Sequence, residues 1–219
     1  KTNLDNASSR IRSIMKQLLE NWKKYLLTEK LMLKPGPNGW DLYGKLVAEA
    51  YKNAPSYDPE AVSSFEALGP FTNKMFKQIQ SRVDVQFVDY DPYPSEMEMC
   101  QDAMKNGVLK IWTGGTEHPV FDPELNAKMR AVHDYMTHCQ RDTNFTLPGE
   151  IAAFNGHMKT VPEAAREALF TEVVGQAAYF INYGEFPEQK IVKLKGFDKY
   201  NLGIVDGYDI VNKELVPTS

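Results

Sequence analysis

The sequence predicts a mainly α-helical bundle with a small β element around residues 83–115 and an irregular or β C-terminal tail. Apolar residues recur at three- and four-residue spacing through most of the first eighty positions and again over 123–182. Only VDVQFVDY (83–90) and VLKIWTGG (108–115) carry the alternation and β-branched content of strands before residue 183. After Asn182-Tyr183-Gly184 the helix signals fade, and KIVKLKGF and GIVDGYDIV read as short strands or an extended tail.

The elements follow in order. Residues 8–33 form a long amphipathic helix, with Ile11, Met15, Leu18, Leu19, Trp22 and Leu26 as its apolar stripe. Its opposite face carries Arg10, Arg12, Lys16, Lys23, Lys24 and Lys30 and reads as solvated. KPGPNG breaks it, and a second helix spans 40–53. Asp58-Pro59-Glu60 opens a third with a cap, a first-turn proline and an acid. Gly69-Pro70 ends it, and a fourth runs over 71–82.

Ser95 and Glu98 make a capping box for a helix to Asn106, closed by Gly107. A helix between two strands suits a parallel pair, with a hairpin-like arrangement as the alternative. Asp122-Pro123-Glu124 then starts the first of three helices, over 123–140, 148–158 and 162–182, the last with Thr160 and Glu163 in capping-box spacing. This gives an N-terminal helical subdomain, 1–82, and a motif-bearing domain, 83–219.

The totals exclude several classes. With 42% hydrophobic and 25% charged residues the composition is that of a globular protein. A net charge of −4 does not indicate nucleic acid as a partner. No apolar run approaches the roughly 20 residues of a membrane span, and the first residues lack a signal-peptide core. Two cysteines, Cys100 and Cys139, make neither a disulfide framework nor a Cys-x-x-Cys knuckle. They predict a reducing compartment, with Cys139 as core.

The chemistry gathers between 118 and 176. All four histidines lie there: His118, His133, His138 and His157. Asp134, Glu150, Glu163, Glu167 and Glu172 lie between and after them. Asp134 and His138 are four apart, about 40° round a helix, and so can converge on one ion. His133 is displaced by a further quarter-turn, yet still reaches into the same cleft. Glu150 and His157, seven apart, share a face, as do Glu172 and Gln176. An unpaired acid in the apolar run ALFTEVVGQAAYFI is costly, which favours a partner for Glu172. Imidazole and carboxylate without thiolate suit a divalent transition metal, Zn, Mn, Ni or Fe.

The predicted metal ligands are therefore His118, His133, Asp134, His138, His157 and Glu172. Glu150 is a ligand or general base, Gln176 orients a ligand or substrate, and Arg130, with Arg141 and Arg166, is a candidate to hold an anionic substrate. Glu163 and Glu167 read as solvated.

The ordered set HP, RAVHDYMTH, GEIAAFNGH and TEVVGQ resembles an uncharacterised phage-associated protein family. Its members carry RAVHD-x-x-x-H, then GE-x-x-A with a following histidine, then TE-x-x-GQ. The resemblance covers about residues 83–185. It implies a viral context, in the cytoplasm of an infected bacterial host or in the phage particle, and no established reaction.

The His133-Asp134 doublet also resembles that of HD-domain phosphohydrolases. That likeness implies His118 as an upstream ligand and Glu172 as the distal acid. This chain departs in the closeness of His118 to the doublet and in Glu for the family's Asp. The inventory of Glu150, His157, Glu172, Asp134 and His138 is similar to that of heme-oxygenase-like di-iron proteins, in a different order and without a Glu-x-x-His pair.

The expected function is a phage-encoded metal-dependent hydrolase of a small-molecule, phosphate-ester or nucleotide-like substrate. The alternatives are a helical di-iron oxygenase and a non-enzymatic phage particle or assembly protein with a buried polar network.

Overall fold

The computed structural model describes residues 37–115, 117–197, 208–211 and 214–218. The predicted helix over 8–33 lies outside them. Helix α1 (Pro37–Asn53) is followed by α2 (Val62–Gln80), strand β1 (Asp84–Val88), the short α3 (Glu96–Gln101) and strand β2 (Val108–Trp112). Helices α4 (Pro123–His133), α5 (Leu147–His157), α6 (Arg166–Phe170) and α7 (Gln176–Tyr183) complete the bundle. Strands β3 (Tyr208–Val211) and β4 (Glu214–Pro217) pair antiparallel near the C-terminus.

Two helices were expected where α2 runs unbroken. Pro70 sits inside α2 on its exposed side, and the carbonyl it leaves without an N–H donor belongs to Glu66, also exposed. Water can satisfy that carbonyl, whereas the buried stripe of Phe65, Leu68, Phe71, Met75, Phe76 and Ile79 rewards continuity. Burial outweighs the breaker.

The strands pair in parallel, from Asp84 opposite Val108 to Val88 opposite Trp112, which decides against the hairpin arrangement. Helix α3 is capped as expected, Ser95 accepting from the Glu98 N–H at 3.3 Å, and Gly107 (φ 70°) closes the crossover. Asp122 caps α4 through the Leu125 N–H (2.7 Å), and Thr146 caps α5 through the Gly149 N–H (3.4 Å). The Thr160–Glu163 box does not form. Pro162 takes the cap position with no side-chain bond, and Thr160 donates back to the His157 carbonyl.

Besides Asp102–Asn106 after α3, widened turns closed by i→i+5 bonds occur at Asp134–Cys139 after α4 and at Thr171–Gly175 between α6 and α7. The latter two fall on the residues singled out for chemistry.

One buried cluster joins Tyr43, Val47 and Tyr51 of α1 with Phe65 of α2, Leu109 of β2, Phe154 of α5 and Val174. Phe154 is fully buried, a contribution of about 2–3 kcal/mol. The 190–197 segment is extended rather than a strand, with one bridge between Tyr57 and Ile191. Buried Lys190 donates to the carbonyls of Tyr51 (3.0 Å), Lys52 (3.2 Å) and Ala54 (2.6 Å), closing the C-terminus of α1.

The cysteine expectation fails. Cys100 of α3 and Cys139 form a disulfide across 39 residues of sequence. Strand β2, packed beside α3, and the turn after α4 bring together two positions that spacing alone gave no reason to pair. The bond fastens α3 to the turn that ends the His133–His138 segment. Among the described residues, no helix is long and apolar enough to cross a membrane.

Candidate metal centre

In a regular α-helix residues five apart diverge by roughly 140°. The widened turn at Asp134–Cys139 removes that divergence, and His133 Nε2 lies 2.8 Å from His138 Nε2. The Thr137 hydroxyl donates to the His133 carbonyl within the same turn. The convergence therefore differs from the expected one. The spacing at 100° per residue aligned Asp134 with His138 and displaced His133 by a quarter-turn, within reach of the same cleft. In the structure the two imidazoles meet edge-on through their Nε2 atoms, with Asp134 beside them. Ligand atoms of His133, Asp134 and His138 all lie within 4.8 Å of one another, so this group can hold a metal ion.

Glu150, in the first turn of α5, brings both carboxylate oxygens to the same point. Its Oε2 is 3.1 Å from His133 Nε2 and its Oε1 is 3.5 Å from His138 Nε2. Ligands placed 2.0–2.2 Å from one ion are separated by roughly 2.8–3.6 Å at angles of 90–110°, which spans these spacings. Both cysteines are committed to the disulfide, so the donor set is nitrogen and oxygen, the set of Zn, Fe, Mn or Ni.

Tautomers follow from the outer contacts. His138 Nδ1 lies 2.8 Å from the Thr143 carbonyl, which can only accept, so the proton sits on Nδ1 and Nε2 presents its lone pair. Burial, and then the charge of His133, push the His138 pKa down to about 4 and keep the ring neutral. His133 is raised: burial opposes its charge, but Glu150 and Asp134 outweigh that. Its Nδ1 is buried without a hydrogen-bond partner. Asp134 is pushed up to about 6 by burial and by Glu150, against the pull of His133 and Arg130.

The other predicted residues take different places. His157 stacks on His133 with ring centres 5.8 Å apart and meets Phe71 edge-on; burial and the neighbouring charges of His133 and Arg141 hold its pKa at about 3. It lies outside the three-residue group. His118 Nδ1 accepts from the Val120 (3.2 Å) and Phe121 (2.9 Å) N–H groups, which assigns the proton of the neutral ring to Nε2. That nitrogen faces Glu172 Oε1 at 3.6 Å, beyond hydrogen-bond distance, and both atoms are buried without a hydrogen-bond partner. Gln176 donates to Glu172 Oε2 (2.7 Å) and to Gln189 Oε1 (2.9 Å), so it orients Glu172 as a side-chain donor.

Arg130 donates to the carbonyls of Trp112 (3.0 Å), Gly114 (2.8 Å) and Gly115 (2.9 Å), holding the loop after β2. Arg141 lies over Gly156, where any Cβ would come 1.9 Å from Nη1. Glu163 and Glu167 do not line the cavity described next.

A cavity of about 640 Å³ brings these parts together. His133, Asp134, Glu150, His157, Glu172 and Gln176 line it, with Trp112, Phe145, Phe180 and Phe186 among the apolar walls. Two features were not read from the sequence. One is the Thr143 carbonyl behind His138, since a backbone acceptor carries no residue-type signal. The other is the disulfide.

Compared with known proteins, the chain matches no family model, no curated protein and no solved structure. The functional reading therefore rests on the site.

Proposed function

We propose that this chain is a metal-dependent hydrolase with one divalent transition ion held by His133, His138 and Glu150, and Asp134 beside it. The observation that supports it is the convergence of two imidazole Nε2 atoms and a carboxylate on one point, with His133 and Glu150 in the wall of a cavity. A divalent ion there supplies Lewis acidity and lowers the pKa of bound water. The protein's own part is to hold His138 through Thr143 with its lone pair inward and to keep the Asp134 carboxyl beside the ion. Glu172, fixed by Gln176 and faced by His118, is a second carboxylate for positioning substrate.

Iron-dependent oxygenation is the second reading. Two imidazoles and one carboxylate are also the donor set of mononuclear iron oxygenases. Among the described residues there is one group of three candidate ligands, which favours a single ion over a di-iron pair. A phage origin, with action in the infected host's cytoplasm or in the particle, is supported by the motif succession alone.

Metal titration of the stripped protein tests the proposal. Zinc, manganese or nickel that restores ester or amide hydrolysis supports the first reading. Iron uptake with oxygen consumption and no hydrolysis supports the second. Binding of no transition ion overturns both.

A further inference from the structure

The residues around the centre also bear on what enters it. We propose that the cavity takes a neutral or cationic molecule with an apolar body, and not a phosphate ester. The fate of that molecule rests on the hydrolase reading; its binding does not.

Charge argues first. Asp91, Asp134, Glu150 and Glu172 line the cavity; among the described residues Lys110 and Arg130 oppose them, joined by His133 while no ion is bound. Arg130 is already engaged by three carbonyls, and Lys110 sets its ammonium 3.9 Å from Asp102. A phosphate monoester brings about two negative charges and needs several donors directed at its oxygens. The carbonyls of Gly114 and Gly115, which line the cavity, are acceptors turned to Arg130. A divalent ion brings this lining to charge balance and no further, leaving no surplus of positive charge to attract a polyanion.

The walls argue second. Phe145, Phe180, Ile181 and Phe186 line the cavity and remain exposed, Phe186 at 73%. The Phe180 and Phe186 rings stack with centres 4.5 Å apart. Apolar side chains gathered and left accessible beside buried polar groups are covered best by an apolar ligand surface.

Three compounds with one benzyl body separate charge from shape: benzylamine, benzyl alcohol and benzyl phosphate. Their binding is measured by ligand-observed NMR at neutral pH, on metal-stripped protein and again after zinc loading. Benzylamine and benzyl alcohol are expected to bind about ten-fold or more tightly than benzyl phosphate in both forms. Phe186→Ser, at an exposed position, is expected to weaken both by about three-fold or more with folding unchanged by circular dichroism. Benzyl phosphate binding as tightly as the others in either form overturns the inference. So does an unchanged affinity in Phe186→Ser, or no saturable binding of any compound. The stripped protein reads the cavity without the ion, so failure of zinc uptake and failure of this inference are seen separately.

Discussion

His133 and His138 are five residues apart in sequence, yet their Nε2 atoms lie 2.8 Å apart. The widened turn that makes this possible leaves the two rings nearly perpendicular, at 80°, with the Glu150 carboxylate against both. A pair of lone pairs aimed at each other is unfavourable without a proton or a cation between them. That relationship ties the local backbone to the proposed chemistry.

The first prediction separates ligands from neighbours. Glu150→Gln keeps the shape and removes the charge, and should weaken metal binding by about 10-fold to 100-fold. His157→Phe should leave metal affinity within about three-fold, because His157 packs among aromatic rings outside the ligand group. Calorimetric titration measures both. Loss of the metal in His157→Phe would move that ring into the ligand set.

The second concerns pH. Burial holds His138 at about 4 and His157 at about 3, against an ordinary 6.5. Below 6.5 the unfolded chain takes up two protons that the folded chain refuses, so stability falls as pH falls. Each contributes at most about 1.4 kcal/mol per pH unit. Asp134 acts oppositely between its ordinary 3.8 and about 6, where only the folded state holds the proton. His133, raised above 6.5, is protonated in both states over this window and drops out. Two protons outweigh one, so the melting temperature of the metal-free protein should drop between pH 6 and pH 4. A flat or rising profile would contradict the assignment.

The third concerns Lys190. Lys190→Met leaves three carbonyls at the end of α1 without their donor and should cost about 2–3 kcal/mol of stability with metal stoichiometry unchanged. Chemical denaturation gives the number. A loss below about 0.5 kcal/mol would show that water replaces the ammonium freely.

The fourth concerns the disulfide. Opening the Cys100–Cys139 bond frees a 39-residue loop and, in the chain-entropy model, costs up to about 4 kcal/mol. Reduction, or Cys100→Ser, should lower the melting temperature clearly. Identical melting curves with and without reductant would show that packing of α3 alone holds the turn.

The bundle, the two strands and two of the caps were legible because each depends on local pattern: Ser95 and Asp122 stand where a helix needs an acceptor. Pro70 misled because its cost is local while the benefit of continuing α2 comes from partners distant in sequence, such as the α4 residue Leu125 beside Gly69. Within the site, the clustering of His133, Asp134, His138 and Glu150 was readable from composition. Their geometry was not, since reasoning at 100° per residue aligns Asp134 with His138, whereas the added residue in the turn aligns His133 with His138. Cys139 and Cys100 show the same limit, as a contact between two segments that neither segment encodes alone.

The most direct measurement is elemental analysis of protein purified without a histidine tag. The account predicts about one equivalent of zinc, manganese, nickel or iron per chain, lost when His133 and His138 are both replaced by Ala. A folded wild-type chain that neither carries nor takes up a transition metal, or a double variant that keeps the full amount, would contradict it.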